Sequence, residues 1–416
     1  MGTANTGPLQ GFRILELGHF IAAPFCTRVL ADLGAEVIKV EPPGGDPVRT
    51  WGAQIDGNSV WWSVHARNKK SIVLDLKNDE DRAALLKIAA KCDAVVENFR
   101  PGALARLGLD DEKLRGANPD LVIAHVSGFG QNGPDRDRAA FGVIGEAIGG
   151  LRYLTNHPPG EQDLPPIRSG ISIGDSVAGL YAALGVVAEL LRKAANPRTT
   201  AGGTVDVALT DSVLSLMEGL LPEYGSLGIV RQPTGSRIPT AAPTSAYPCK
   251  DGNWVLIAAN SNPLFAKLCG LIERPELVDD PRFTTNVERC ENVEILDAAI
   301  AEWTRRFDAG DVDAQCSAAG IPSTLAYTAA ECASSEQFRA RNMVRDVEDP
   351  IIGPTLHPGI VPHIPGASGQ IRWTGPSVGQ HTEEVLAELA DRQPTEAAVS
   401  KAGTPALANA VRAADK

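Results

Sequence analysis

Three consecutive stretches decide the fold: Phe12-Arg-Ile-Leu-Glu-Leu17, then Pro24–Leu33, then Ala35-Glu-Val-Ile-Lys-Val-Glu41. The first and third are short runs rich in Ile, Leu and Val, which read as buried strands. The middle one reads as a helix ended by Gly34. A strand, a helix and another strand in this order predict parallel neighbours in one sheet. Working outward, Ser71–Leu76, Asp93–Asn98 and Leu121–Ser127 repeat the strand pattern, and Asp79–Ala90 reads as a helix capped by Asn78 or Asp79. The first 130 residues therefore predict a doubly wound α/β domain. In such sheets ligands gather at the carboxyl ends of the strands. Those ends lead into Gly18–Pro24, Pro42–Asp46, Asn98–Gly102 and Ser127–Gly133, all turn-forming.

Further along, Ser176–Lys193 carries Val177, Leu180, Tyr181, Leu184, Val187, Leu190 and Leu191 at helical spacing. A strand at Thr204–Val207 and an apolar helix at Asp211–Leu221 follow. Gly225–Pro248 turns rich in Gly, Pro, Ser and Thr and reads as a linker or mobile loop. Beyond it come a strand at Trp254–Ala259 and helices at Pro263–Leu271 and Val293–Phe307. With 416 residues two domains are expected. Residues 1–225 form the first part of a large domain, 230–330 a smaller one, and 333–416 a Pro-rich segment with a frayed, Ala-rich end.

The formal charge of −12 argues against nucleic acid as partner, since phosphate binders carry a basic excess. The seven cysteines are scattered without a C-x-x-C pair, so neither a zinc site nor a disulfide framework is signalled, and reduced thiols in a cytoplasm fit. The histidines form no metal-ligand spacing. No apolar run is long enough to span a membrane.

Three features could carry chemistry. Gly128-Phe-Gly-Gln-Asn-Gly133 matches a dinucleotide turn literally, but the polar Pro134-Asp-Arg-Asp-Arg138 follows where a helix is needed, so a tight turn is the better reading. Asp175, in Ser172-Ile-Gly-Asp-Ser176, stands where a long helix begins. It is read either as a plain N-cap or as a carboxylate kept ionised by the helix's positive end and able to attack an activated acyl group. Arg67-Asn-Lys-Lys70, with Arg100 and Arg106, could pair with phosphates or simply face solvent.

Taken together these segments resemble the family III CoA-transferases, which include formyl-CoA, carnitine and benzylsuccinate CoA-transferases. The resemblance runs in order through Leu9–Gly18, Ala31–Glu41, Asn68–Lys77, Val96–Gly102, Ser127–Pro134, Gly174–Gly179, Asp280–Phe283 and Gly379–Thr382. It implies a Rossmann-like large domain, a smaller α/β domain, and a ring-like subunit interlocked with its twin in a homodimer, the tail returning to the large domain. It further implies that Asp175 attacks an acyl-CoA thioester to give an aspartyl anhydride, and that the CoA thiolate returns to give an aspartyl-CoA thioester. CoA is a substrate, with no metal or redox cofactor. The residues implied for the CoA site are His19, Ile21, Ala22, Arg67, Asn68, Asn98, Phe99, Arg100, Arg106, Val126, Ser127, Gly128 and Phe129.

The chain departs from that pattern in places. Formyl-CoA transferase relatives carry a run of glycines where this chain has Thr234–Pro243, with one glycine and Arg237. Pro42 and Ile21 stand where some relatives place polar CoA contacts. The alternative inside the family is an α-methylacyl-CoA racemase, which needs a histidine base. This chain has Ala140-Phe-Gly142 at that point. Arg237 or Arg168 could hold a second carboxylate, which favours a dicarboxylic pair such as succinyl-CoA with a related acid.

Overall fold

A computed structural model describes residues 7–161, 164–196 and 201–390. The Ala-rich end expected to fray lies outside the described residues from 391 onward. The chain forms two compact units. The first comprises residues 1–151, 169–218 and 342–416, and the second residues 152–168 and 219–341. The second unit therefore starts earlier and ends later than the 230–330 read from composition. It also takes Arg152–Arg168, a turn-rich stretch with no apolar period to tie it to either core.

Six strands make the sheet of the first unit: β1 (Arg13–Glu16), β2 (Glu36–Glu41), β3 (Lys69–Val73), β4 (Ala94–Glu97), β5 (Val122–Ser127) and β6 (Thr204–Ala208). Their order is β3-β2-β1-β4-β5-β6, and every pair is parallel. The doubly wound reading holds, and the strand order reverses between β1 and β4. Alternate residues face opposite sides. Ile14, Val37, Ala94, Val96, Val122 and Ala124 build one core, and Leu15, Ile38, Val95 and Ile123 the other.

Five helices matter for the site: α1 (Ala22–Asp32), α2 (Val60–His65), α3 (Asp79–Ala89), α4 (Gly142–Ile148) and α5 (Ile173–Ala195). The side chain of Asn78 accepts from the Glu80 N–H at 2.7 Å, so Asn78 is the cap of α3. Acids at 79–81 then complement the positive end of the helix. Helices α1 and α5 cover the first core, and α3 covers the second with the C-terminal helix Thr382–Ala390.

Helix α5 packs differently from its sequence period. Its inner face is Ala178, Ala182, Ala183, Val186 and Leu190, whereas Leu180, Leu184 and Leu191 are exposed, Leu184 at 64%. Close approach explains the choice: a side chain at Gly179 would collide with the Ala22 carbonyl, 2.6 Å from the Cβ position. Helix α5 is long and apolar enough to cross a membrane by composition alone, but its small-residue face is built into the sheet core.

The second unit holds a three-stranded antiparallel sheet of Thr244–Pro248, Trp254–Ala258 and Ser323–Leu325, packed around Val255, Phe265, Phe283, Ile300 and Trp303. The stretch read as a mobile linker is structured. It contains the end of helix Leu220–Leu227, and its later part is clamped. The Asn286 side chain donates to the Thr240 carbonyl and accepts from the Ala242 N–H, while buried Arg289 donates to the carbonyls of Ala242, Asn260 and Phe283. Composition hid this because the clamp lies some 45 residues downstream.

Residues 342–390 close the first unit. Arg67, fully buried, makes a bidentate pair with Asp32 and donates to the Pro358 carbonyl. Asn68 donates to Asp32 and to the Gln370 carbonyl and accepts from the Arg372 N–H. On the edge strand β3, the Val73 N–H donates to the Thr382 hydroxyl.

Charge also lies beneath the carboxyl end of the sheet. The buried Lys39 ammonium donates to Glu16 at 2.6 Å and to the Gly18 carbonyl at 2.8 Å, and pairs with Asp46 at 2.7 Å. Lys69 bonds the other Glu16 oxygen at 2.8 Å. Burial pushes the Glu16 carboxyl up, but Lys39 and Lys69 outweigh it and bring its pKa down to about 2. For Lys69, burial and the repulsion of Lys39 outweigh Glu16 and bring it down to about 8.

Two outcomes are predicted. Asp32→Ala leaves a buried guanidinium and amide without their acceptor and should cost about 3–5 kcal/mol in denaturant unfolding. Because the Glu16 pKa is depressed in the fold, its contribution is fully present above its ordinary value of 4.5. It is lost as pH falls towards about 2. Glu16→Gln should therefore flatten the acid limb of a stability–pH curve.

Candidate active site

The reversal of strand order between β1 and β4 opens a crevice at their carboxyl ends. There the turn after β1 meets the turn after β4. The His19 N–H donates to Asn98 Oδ1 at 2.8 Å, and Asn98 Nδ2 donates to the His19 carbonyl at 2.9 Å. The His19 ring stands edge-on to Phe99, with centroids 5.1 Å apart. Burial, then Lys39, lowers the His19 pKa, so the ring is neutral near pH 7.

Phe20 has a φ of 61°, a left-handed conformation that a bulky residue adopts only when its surroundings impose it. The restraint is Asp46: its Oδ1 accepts from the N–H groups of Phe20 and Val48, and its other oxygen pairs with Lys39. Lys39 also holds the Gly18 carbonyl, so one ammonium fixes both sides of the turn. The turn then enters α1, with Ile21 and Ala22 buried.

Asp175 approaches from the other side. Helix α5 begins at Ile173 after Ser172, so Asp175 lies in the first turn rather than at the cap. It is half-buried. Its carboxylate rests against Gly142: a Cβ there would lie 2.1 Å from Oδ2. Gly174 is equally constrained, since a Cβ there would lie 2.7 Å from the Gly142 carbonyl oxygen, and its N–H donates to the buried Glu146 at 3.4 Å. Two glycines thus let α4 and the start of α5 touch backbone to backbone. Phe141, 68% exposed, precedes Gly142 and sets its ring 6.2 Å from Phe20, which lies 5.0 Å from Trp51. An aromatic shelf therefore joins the Asp175 corner to the His19–Ala22 turn.

The other expected CoA-site residues fall into three groups. Arg100 and Arg106 are exposed beside the Asn98 turn, and Arg100 lines a cavity of about 340 Å³ with Arg136 and His125. Burial opposes a charge on His125, but Asp111 and Glu97 outweigh it and raise its pKa to about 9. Ser127 ends β5, and Gly128 and Phe129 follow it. Gly128 is pressed on Ala140, the Arg138 guanidinium lies 5.2 Å above the Phe129 ring, and the Val126 side chain belongs to the core. Arg67 and Asn68 are a correction. They are buried against Asp32 and the returning tail and present no face to a phosphate.

Arg237, expected as a free cation, pairs with Asp297 at 3.8 Å. Glu16, Lys39, Asp46 and Phe141 were not singled out from sequence. The signal for two of them was present, since Glu16 and Lys39 interrupt apolar strands where an unpaired charge would not be tolerated.

The model for CoA-transferase family III matches residues 9–382. Succinyl-CoA–D-citramalate CoA-transferase of Chloroflexus aurantiacus is 45% identical, with 92% of this chain and 94% of that protein covered. The alpha subunit of succinyl-CoA–L-malate CoA-transferase from the same organism is 35% identical over 94% of this chain and 92% of its own. A CAIB/BAIF family protein from Brucella suis has the same fold, with a TM-score of 0.80 and 31% identity over 92% of this chain and 100% of that one. These relatives set the racemase alternative aside, in keeping with the glycine that backs Asp175. The chain belongs to CoA-transferase family III and is a CoA-transferase.

Proposed function

We propose that the enzyme moves CoA from succinyl-CoA to a second dicarboxylic acid, with Asp175 as the covalent nucleophile. The observation that carries this reading is the Asp175 carboxylate, held in the first turn of α5 against glycine backbone and beside the crevice. The helix end favours the ionised form, which is the nucleophilic one. The relatives named for succinyl-CoA exchange support the choice of acids.

The carboxylate attacks the thioester carbonyl, the C–S bond breaks and the CoA thiolate leaves, giving an acyl–aspartyl anhydride. The thiolate attacks the aspartyl carbonyl and releases the donor acid, leaving an aspartyl-CoA thioester. The acceptor carboxylate attacks that thioester and displaces the thiolate, giving a new anhydride. Thiolate attack on the acceptor's acyl carbon then forms the new acyl-CoA and restores Asp175. Each step exchanges one acyl bond for another, and no electrons are transferred to or from a cofactor. In this reading the nucleotide phosphates meet Arg100 and Arg106, while the turns at His19–Ala22, Asn98–Phe99 and Ser127–Phe129 guide the pantetheine arm.

The reading includes a homodimer and a cytoplasmic location. The exposed Leu180, Leu184 and Leu191 on α5 support an apolar interface, and seven unpaired thiols suit a reducing compartment.

Two tests follow. Asp175→Ala should fold normally and lose transfer by at least about a thousandfold. In the wild type, hydroxylamine added with acyl-CoA donor should convert Asp175 to a hydroxamate, read by peptide mass spectrometry. An unlabelled Asp175 peptide during active exchange would refute the covalent route. Leu184→Asp should shift the light-scattering mass from dimer to monomer, and an unchanged mass would remove this face from the interface.

A further inference from the structure

We propose that His125 is a positioning residue for acyl-CoA: clamped between Glu97 and Asp111, it sets the Asn98–Phe99 turn that borders the crevice. The proposal rests on the reading just given, in which that turn guides the pantetheine arm.

Glu97 and His125 are register partners on β4 and β5, two residues beyond Val95 and Ile123. Their side chains therefore lie on the face of the second core, and both are buried. A carboxylate buried at the end of an apolar strand needs partners. Glu97 has one on each oxygen. Its Oε1 accepts from His125 Nδ1, and its Oε2 accepts from the Phe99 N–H at 2.6 Å.

On the far side of the ring, His125 Nε2 lies 3.1 Å from Asp111, the first residue of the helix Asp111–Ala117. An imidazole with an acid on each nitrogen serves both only when each nitrogen carries a proton. Burial opposes that charge, but Asp111 and Glu97 outweigh it, so the ring is an imidazolium at neutral pH. The ring also borders the cavity of about 340 Å³, whose wall carries Arg100, Arg136 and Asp110, and Arg115 pairs with Asp111 at 3.4 Å. With open space beside it, the ring is fixed on that side by its two charge-assisted bonds rather than by packing.

This chain of bonds ends in the crevice. From Asp111 it runs through His125 and Glu97 to the Phe99 N–H, and the Phe99 ring is the one that meets His19 edge-on. Asn98, one residue earlier, holds the His19 backbone in both directions. The turn after β1 is thus braced by Lys39 and Asp46, and the turn after β4 by His125 through Glu97. Releasing Glu97 frees the Phe99 N–H while leaving the Asp175 corner untouched. The loss therefore falls on acyl-CoA binding and spares the free acid.

Two variants separate the bonds, because the amide nitrogen of asparagine falls near the place of Nδ1 and that of glutamine near the place of Nε2. His125→Asn keeps the link to Glu97, and His125→Gln cuts it. The assay is exchange of labelled succinate into succinyl-CoA. His125→Gln should raise the KM for succinyl-CoA by about tenfold or more, with kcat and the KM for succinate within about threefold of wild type. His125→Asn should stay within about threefold of wild type in all three constants. Equal losses in the two variants, or a loss confined to kcat, overturn the brace. If His125→Gln does not fold, Asp111→Ala, at the more exposed end of the chain of bonds, should raise the same KM severalfold. Asn98→Ala tests the underlying reading and should itself raise the KM for succinyl-CoA by about tenfold. If Asn98→Ala raises it while the His125 and Asp111 variants do not, the brace alone is overturned. If Asn98→Ala leaves it unchanged, the turn does not guide acyl-CoA, and that reading and the brace fall together.

Discussion

The site depends on one buried ammonium. Lys39 sits in the middle of an apolar strand, where a charge persists only if oxygens surround it, and Glu16, Asp46 and the Gly18 carbonyl supply them. Those three partners come from the end of β1 and from the turns beyond β1 and β2. Satisfying the charge therefore sets the path of the chain across the crevice. The left-handed Phe20, the paired backbone bonds of His19 with Asn98 and the entry into α1 all follow from that path.

On the opposite wall the constraint is size rather than charge. Helices α4 and α5 meet through Gly142 and Gly174, and α1 and α5 through Gly179. The Asp175 carboxylate is set in that corner against the Gly142 backbone. The two walls thus do different work: one fixes the turn at the carboxyl end of β1, the other positions the Asp175 carboxylate proposed as the nucleophile.

Much of this was legible in the sequence. Short runs of Val, Ile and Leu with helices between them specified the parallel sheet, and the glycine–aspartate pair before an apolar run marked where a long helix begins. What was not legible depended on contacts far apart in the chain. Arg67 and Asn68 read as facing a phosphate or solvent because their partners lie in α1 and in residues 358–372. The large residues of α5 read as its core face because period alone does not say that α1 comes close enough at Gly179 to exclude a side chain there. Thr234–Pro243 read as mobile because Asn286 and Arg289, which clamp its end, stand in another element. Local pattern reported elements well and misreported whichever side chains answer to distant ones.

The return of the tail to the first unit has a consequence for synthesis. The edge strand β3 emerges early, yet its Val73 N–H finds its partner only at Thr382, 309 residues later. At about 5–20 residues per second, that delay is roughly 15–60 s. Over that interval the ribosome-bound chain carries an uncovered sheet edge and the part of the core that Val385 will seal. Nascent subunits are therefore most exposed to aggregation before the last tenth of the chain is made. Truncations that spare every residue of the crevice should still deplete the protein in the cell.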